Sequence, residues 1–86
     1  MTEQIDPKQY GLSSRVKLFR EQDSIIIVKK RKSRIIMKDS MLIVDIVSTI
    51  RSHENNMVYK LLIEGPICSK SKAFLLENNV EVIVDL

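Results

Sequence analysis

The chain has 86 residues, of which 44% are hydrophobic and 29% are charged, and this composition is ordinary for one globular domain. No apolar run approaches the roughly 20 residues of a membrane span, and the polar N-terminal residues lack the charged-then-apolar order of a secretory signal. A single cysteine excludes an internal disulfide, so we expect a cytoplasmic protein that makes no membrane contact.

The net charge of +3 is distributed very unevenly along the chain. Residues 29–38 contain six basic side chains and no acidic one. The net charge of residues 1–28 is zero, and that of residues 39–86 is −3. One window of ten residues therefore holds the whole positive excess.

The first predicted element is an N-terminal arm. Residues 1–13 contain a proline and a glycine and show no hydrophobic periodicity, so they are predicted to be a flexible arm that precedes one globular domain of residues 14–86. From residue 15 onward, Val16 and Leu18 alternate with basic residues, which is typical of a strand with one apolar face.

Two further strands are predicted around the basic window. Residues 25–30 begin with a β-branched run that is apolar on both faces, which is typical of an inner strand, and Ile26 and Val28 are its residues expected in the core. Residues 34–38 form the third predicted strand. A turn near residues 31–32 would join the two strands as an antiparallel hairpin with a basic tip.

The second half of the chain predicts helices that alternate with strands. Asp39 or Ser40 can begin a helix, because either side chain accepts a hydrogen bond from a free backbone N–H. Apolar residues then recur at helical spacing, and those expected in the core are Ile43, Ile46, Val47 and Ile50. Residues 57–64 form the fourth strand. The proline of Gly65–Pro66 suits the first turn of a second helix, and the alternation in residues 80–86 predicts a final strand.

The predicted order of elements is therefore βββαβαβ. Its last three elements form one right-handed parallel crossover unit, and the first and last strands are apolar on one face only. We therefore expect an α+β fold with a single small domain, a two-layer sandwich in which two helices pack on one face of a mixed sheet. The order is similar to that of ribonuclease-H-like domains, and this resemblance implies a three-layer arrangement as the alternative.

That resemblance also implies acidic metal ligands. Ribonuclease-H-like enzymes hold two metal ions with several carboxylates, and one of these carboxylates comes from the first strand. Here the first predicted strand contains no acidic residue, and Asp45 and Glu64 are the acids that would match the other ligands. We expect both to be solvated surface residues, and no metal site is predicted.

The basic window is the first candidate site. Like charges packed across a hairpin repel one another, and a bound phosphate group would relieve that repulsion. With four aromatic residues in the whole chain, contact with a duplex or structured RNA is favoured over stacking on single-stranded bases. The residues expected to contact the anion are Lys29, Lys30, Arg31, Lys32 and Arg34, extended by Arg15 and Lys17 if the first two strands pair. The alternative is a solvated turn that discourages edge-to-edge sheet pairing.

The connection from the fourth strand to the second helix is the other candidate site. Ligands tend to bind where a parallel strand gives way to a helix, and free N–H groups favour an anion at a helix N-terminus. The candidates for this secondary anion site are Cys68, Ser69, Lys70 and Ser71. A cysteine in this position can have a lowered pKa. One cysteine and one histidine cannot provide the four ligands of a zinc site.

These patterns favour a small basic cytoplasmic binding protein that has no catalytic residue and no cofactor. Its expected partner is anionic, with nucleic acid preferred over an acidic protein. The alternatives are a thiol- or phosphate-handling enzyme that uses the entrance around Cys68, and a protein–protein interaction module. The sequence does not indicate the oligomeric state.

Overall fold

The computed structural model describes residues 2–29, 34–54 and 56–84. The strands and helices, in chain order, are β1 (Thr2–Ile5), β2 (Lys17–Glu21), β3 (Ser24–Lys29), α1 (Met37–Arg51), β4 (Val58–Ile63), α2 (Ser69–Glu77) and β5 (Val80–Val84), with a 3₁₀ helix (Pro7–Tyr10) after β1. No helix in the described part of the chain is long and apolar enough to cross a bilayer.

The strands form one mixed sheet in the order β1-β2-β3-β4-β5. β2 is antiparallel to both of its neighbours, β1 and β3, whereas β3, β4 and β5 run parallel to one another. Because α1 and α2 connect successive parallel strands in the same direction along the sheet, right-handed crossovers place both helices on one face. The predicted α+β fold with two layers is confirmed, and the three-layer alternative does not fit the described helices.

The core lies between the sheet and the two helices. In α1 the buried apolar residues recur at spacings of four and three, so that they form one stripe toward the sheet. The largest fully buried side chains are Leu18, Ile25, Ile27, Ile35, Ile43, Val47, Ile50, Tyr59, Leu61, Ile63, Leu75 and Val80.

The predicted basic hairpin is wrong. Residues 34–38 do not form a strand, because Ile35 makes only an isolated parallel bridge with Ile67 and α1 begins at Met37. The two neighbours of β3 in the sheet are β2, which is antiparallel to it, and β4, which is parallel to it. The described residues of the basic window therefore lie at the end of β3, immediately before α1 and in the first turn of α1.

The start of α1 explains why this segment is helical from Met37. Asp39 was expected to precede the helix, but it lies in the first turn, where its carboxylate accepts a hydrogen bond from the N–H of Ile36 at 3.1 Å. Ser40 is buried, and its N–H and its hydroxyl both donate to the carbonyl of Ile36, at 3.1 and 3.3 Å. The polar pair thus stabilises the first turn from inside the helix.

The N-terminal segment differs from the arm expected for residues 1–13. Thr2–Ile5 pairs with β2, and Pro7–Tyr10 forms the 3₁₀ helix. Ile5 and Tyr10 are both buried in the core. A strand of four residues with one apolar side chain has no alternation to detect, and it supplies the extra strand that keeps the order βββαβαβ.

Candidate functional site

The carboxyl ends of the parallel strands lie at one edge of the sheet. Lys29, Ile63 and Val84 are register partners at the ends of β3, β4 and β5. The helices α1 and α2 follow β3 and β4, so both helix N-termini are at this edge. Ligands of open α/β sheets bind at this edge, where loops and helix N-termini meet.

Ile35 joins the two candidate sites of the sequence into one. Its N–H donates to the carbonyl of Pro66 at 2.9 Å, and its carbonyl accepts the N–H of Cys68 at 3.1 Å. Arg34 is thereby held beside the start of α2, where its positive charge acts on the Cys68 thiol. The connection after β3 and the connection after β4 therefore present their basic side chains together.

The strand β2 brings two more basic residues to the same edge. Antiparallel pairing places Lys17 opposite Val28, next to the end of β3. Arg15, Lys17 and Lys29 line one shallow cavity of about 90 Å³ together with the apolar side chains between them. Arg15 and Lys17 were predicted to extend the site only if the first two predicted strands pair. These strands, β2 and β3, do pair.

We call this surface the basic edge. Within residues 2–29, 34–54 and 56–84, it carries seven basic residues and three acidic ones. The basic residues are Arg15, Lys17, Lys29, Arg34, Lys38, Lys70 and Lys72, and the acidic residues are Asp6, Asp39 and Glu64. Lys30, Arg31 and Lys32, which were also predicted to contact an anion, lie outside the described residues.

The opposite end of the strands, which we call the acidic end, has the reverse charge. Over the same described ranges it carries five acidic residues and two basic ones. The acidic residues are Glu3, Glu21, Asp23, Glu54 and Glu77, and the basic residues are Arg20 and Arg51. The domain is therefore electrostatically polar along the strand direction, with its positive end at the basic edge.

Cys68 occupies the N-cap position of α2, with extended backbone angles of φ −65° and ψ 139°. The backbone N–H of Ser71 and then that of Lys70 lower the pKa of the thiol, because they face the sulfur and favour its charged form. The Ser71 hydroxyl and the charge of Arg34 act in the same direction, and partial desolvation acts against them.

A second polar cluster lies at the acidic end, and no sequence pattern indicated it. Glu54 accepts a hydrogen bond from the Tyr10 hydroxyl at 2.8 Å and an ion-paired hydrogen bond from the Arg20 guanidinium. Its backbone carbonyl accepts the hydroxyl of Tyr59. The partners are up to 44 residues apart, so only the fold brings them together. Because these contacts tie the 3₁₀ helix, β2 and β4 to the end of α1, we assign the cluster a structural role.

Acid should weaken this cluster. Hydrogen bonds from Tyr10 and Arg20 hold the pKa of Glu54 below its usual value. A lowered folded-state pKa contributes stability that is present above the unfolded pKa of about 4.3 and is lost as pH falls through the folded pKa. We expect Glu54→Gln to lower the free energy of unfolding by about 1–2 kcal/mol at neutral pH, since both ionic partners are partly exposed, and by less in acid.

Urea denaturation of wild type and variant at pH 7, 4.5 and 3 measures this difference. Glu77→Gln, which removes an exposed carboxylate at the end of α2, is the control and should show no such trend. A difference between wild type and Glu54→Gln that does not shrink in acid would contradict the assigned role of the carboxylate.

The only histidine of the chain belongs to the acidic end. The ring of His53 lies 5.6 Å from the ring of Tyr10, beyond the C-terminus of α1, while Cys68 lies at the basic edge. His53 is therefore not placed to act as a base for the thiol. In the described part of the chain no group of three or more His, Cys, Asp or Glu side chains could hold a metal ion. Asp45 and Glu64 are both exposed.

No protein-family model, curated protein or solved structure matches this chain. Its function must therefore be inferred from the geometry and charge of the basic edge.

Proposed function

We propose that this protein is a cytoplasmic nucleic-acid-binding protein that contacts the phosphate backbone through the basic edge. The observation that carries the proposal is the pair of backbone hydrogen bonds at Ile35, whose N–H donates to Pro66 and whose carbonyl accepts from Cys68. Through them, basic side chains that are far apart in the sequence, Arg34 and Lys70, meet at one surface. The proposal assigns no catalytic step to the protein.

The dimensions of the domain fit a polyanion better than a single small anion. The molecule measures 29 × 23 × 23 Å, so its basic edge spans on the order of 20 Å. Over that length a DNA duplex presents roughly a dozen phosphate charges, since its axial charge spacing is about 1.7 Å. Several basic side chains can therefore meet phosphates at the same time.

The aromatic residues favour contact with a phosphate backbone over base stacking. Tyr10 and Tyr59 are buried, and Phe19 and Phe74 are half-buried. Proteins that bind single strands by stacking present exposed aromatic rings to the bases, and none of these four rings is exposed. A duplex or a structured RNA is therefore the preferred partner, and backbone contacts of this kind carry no sequence preference of their own.

We expect the protein to bind unrelated DNA and RNA duplexes alike at about 50 mM salt and to lose affinity steeply as salt rises. Three or four phosphate contacts give a slope of about −3 to −4 in a plot of log affinity against log salt concentration, at about −0.9 per phosphate. Fluorescence anisotropy of labelled duplexes over a salt series measures both quantities.

The same titration separates the competing functions. No detectable binding at about 50 mM salt, or a slope near zero, would overturn the proposal and leave the basic edge as solvated surface. Displacement of the duplex by polyglutamate, at a lower concentration of charge than unlabelled duplex requires, would point instead to an acidic protein as the partner.

A further inference from the structure

The face of the sheet that points away from the helices is apolar at its centre. Leu18 is fully buried on the helix side. Its neighbours in β2, Lys17 and Phe19, therefore point to the opposite face, because the side chains of a strand alternate. In the described part of the chain no helix lies on this side, and we call it the uncovered face. The register adds further apolar residues to it, namely Ile26, Val28, Val58, Leu62 and Ile83.

These apolar side chains remain in partial contact with water. Val58 is 49% exposed and Ile83 is 37% exposed. Val28, Leu62 and Ile83 are register partners, so they form one apolar row across three strands. A sheet face that stays in water normally carries polar residues, and a contiguous apolar patch is typical of an interaction surface. The uncovered face is therefore a candidate for a protein interface.

The strand β2 carries a charge pattern on this face that is complementary to itself. Phe19 lies at the centre of the strand, Lys17 two residues before it and Glu21 two residues after it, and both charged side chains are exposed. A two-fold axis at Phe19, lying across the strands between two stacked sheets, lays β2 of one copy antiparallel on β2 of the other. Each Lys17 then meets the Glu21 of the second copy, and the two Phe19 rings meet at the axis. Contacts of this reciprocal kind are those of two-fold symmetric dimers.

We propose that this protein forms a homodimer in which the uncovered faces of two copies pack together with their strands antiparallel. The charge of the whole domain favours this direction, because it places the basic edge of each copy beside the acidic end of the other. Parallel strands would place the two basic edges side by side. They would also set the charged residues of β2 against the apolar Val58 and Leu62 of β4.

The size of the uncovered face sets the strength of the dimer. Its five strands, about 4.8 Å apart and about five residues long at about 3.3 Å per residue, cover about 24 × 16 Å in each copy. With the relief of the side chains, the two copies together bury on the order of 1,000 Å², which is near the lower limit for a specific interface. We therefore expect a reversible dimer with a Kd on the order of 10 μM.

The other charges of this face do not oppose the dimer. Lys60 and Glu81 form an ion pair of 3.9 Å within one copy, so together they add no net charge. The pair lies on the β4–β5 side, away from Phe19, and this places it toward the rim of the interface, where polar groups stay hydrated.

The dimer is compatible with the proposed nucleic-acid surface and does not depend on it. Arg34 precedes α1 and Lys70 lies in the first turn of α2, so both belong to the helix layer, on the side away from the second copy. Lys17 belongs to both surfaces. Assembly is therefore measured on the protein alone, without nucleic acid.

Sedimentation velocity of the intact protein from about 1 μM to about 300 μM tests whether the dimer forms. We expect a change from monomer to dimer within this range. A protein that is still monomeric at about 300 μM would overturn the proposal and leave the uncovered face to a different partner. Assemblies that grow beyond the dimer would also overturn it, because a reciprocal two-fold interface closes.

Charge reversal tests the antiparallel direction. Lys17→Glu and Glu21→Lys should each weaken the dimer at least about tenfold, because each sets like charges against each other at two symmetric places. The double variant Lys17→Glu/Glu21→Lys makes the charges opposite again and should dimerise like wild type. An equimolar mixture of the two single variants should form a heterodimer. Lys8→Glu, at an exposed residue of the 3₁₀ helix, is the control and should dimerise like wild type.

Truncation at the centre tests the location of the interface. Phe19→Ala should weaken the dimer at least about tenfold, since a central aromatic residue contributes most to an interface. Leu76→Ala, which shortens an exposed apolar side chain of α2 on the helix side, should leave it unchanged. Circular dichroism checks folding, and the exposed charge variants test the interface even where Phe19→Ala fails to fold. The proposal is overturned by equal effects of the two truncations, or by a double reversal that does not restore dimerisation.

Discussion

Ile43→Ala is expected to lower the free energy of unfolding by about 2–5 kcal/mol, the usual cost of removing a fully buried Ile side chain. Ile43 is 0% exposed and lies in the stripe of α1 that faces the sheet. Small domains have total stabilities of only about 5–15 kcal/mol, so this substitution removes a large part of the total.

Ile46→Ala is the matched control for this prediction. Ile46 is only half-buried and packs at the border of the core, so its truncation leaves a smaller cavity and should cost clearly less. Urea denaturation followed by circular dichroism measures both variants. Equal costs, or a larger cost for Ile46, would show that α1 is rotated about its axis relative to the arrangement described.

The sequence predicted that α1 is amphipathic, but it could not fix the direction of the buried stripe. Apolar side chains fill residues 42–44 and 46–47, so the apolar arc is wider than the core-facing stripe. Ile46 was expected in the core for this reason. Contacts with the sheet decide that Ile43 and Val47 point inward, while Leu42 is exposed.

In β3, too, the sequence predicted the element but not which of its two faces is buried. Its run Ile25–Val28 is apolar on both faces, and the even-numbered residues were expected in the core. Ile25 and Ile27 are instead the fully buried pair, and Ile26 is half-buried on the other face. A shift of one residue moves every side chain of a strand to the opposite face, and in an all-apolar run no residue marks which face is which.

The candidate site was predictable in its residue types but not in its assembly. Charge counting found Arg34, and the helix-start pattern found Cys68 and Lys70. Their proximity depends on the parallel pairing of β3 with β4 and on the bridge between Ile35 and Ile67. An apolar segment such as residues 35–37 is equally consistent with a strand, and that ambiguity produced the incorrect hairpin. Long-range pairing resolves it, and a periodicity argument contains no information about such pairing.

The double variant Arg34→Gln/Lys70→Gln should weaken duplex binding by about 10²-fold at about 50 mM salt. Counterion release makes each phosphate contact worth about one power of ten in affinity at that salt concentration. The slope of log affinity against log salt should flatten by about 2, by the same amount for unrelated sequences. Folding should be almost unaffected, because both side chains are exposed.

A control with the same change in net charge makes this prediction specific to the basic edge. Lys8→Gln/Lys60→Gln also removes two positive charges, one from the exposed Lys8 and one from Lys60 on the uncovered sheet face, where it forms a long ion pair of 3.9 Å with Glu81. If the basic edge contacts the phosphates, this control should bind with nearly the wild-type slope. Equal losses in the two double variants would mean that binding responds to total charge rather than to this surface, because only a localised interface distinguishes charges by position.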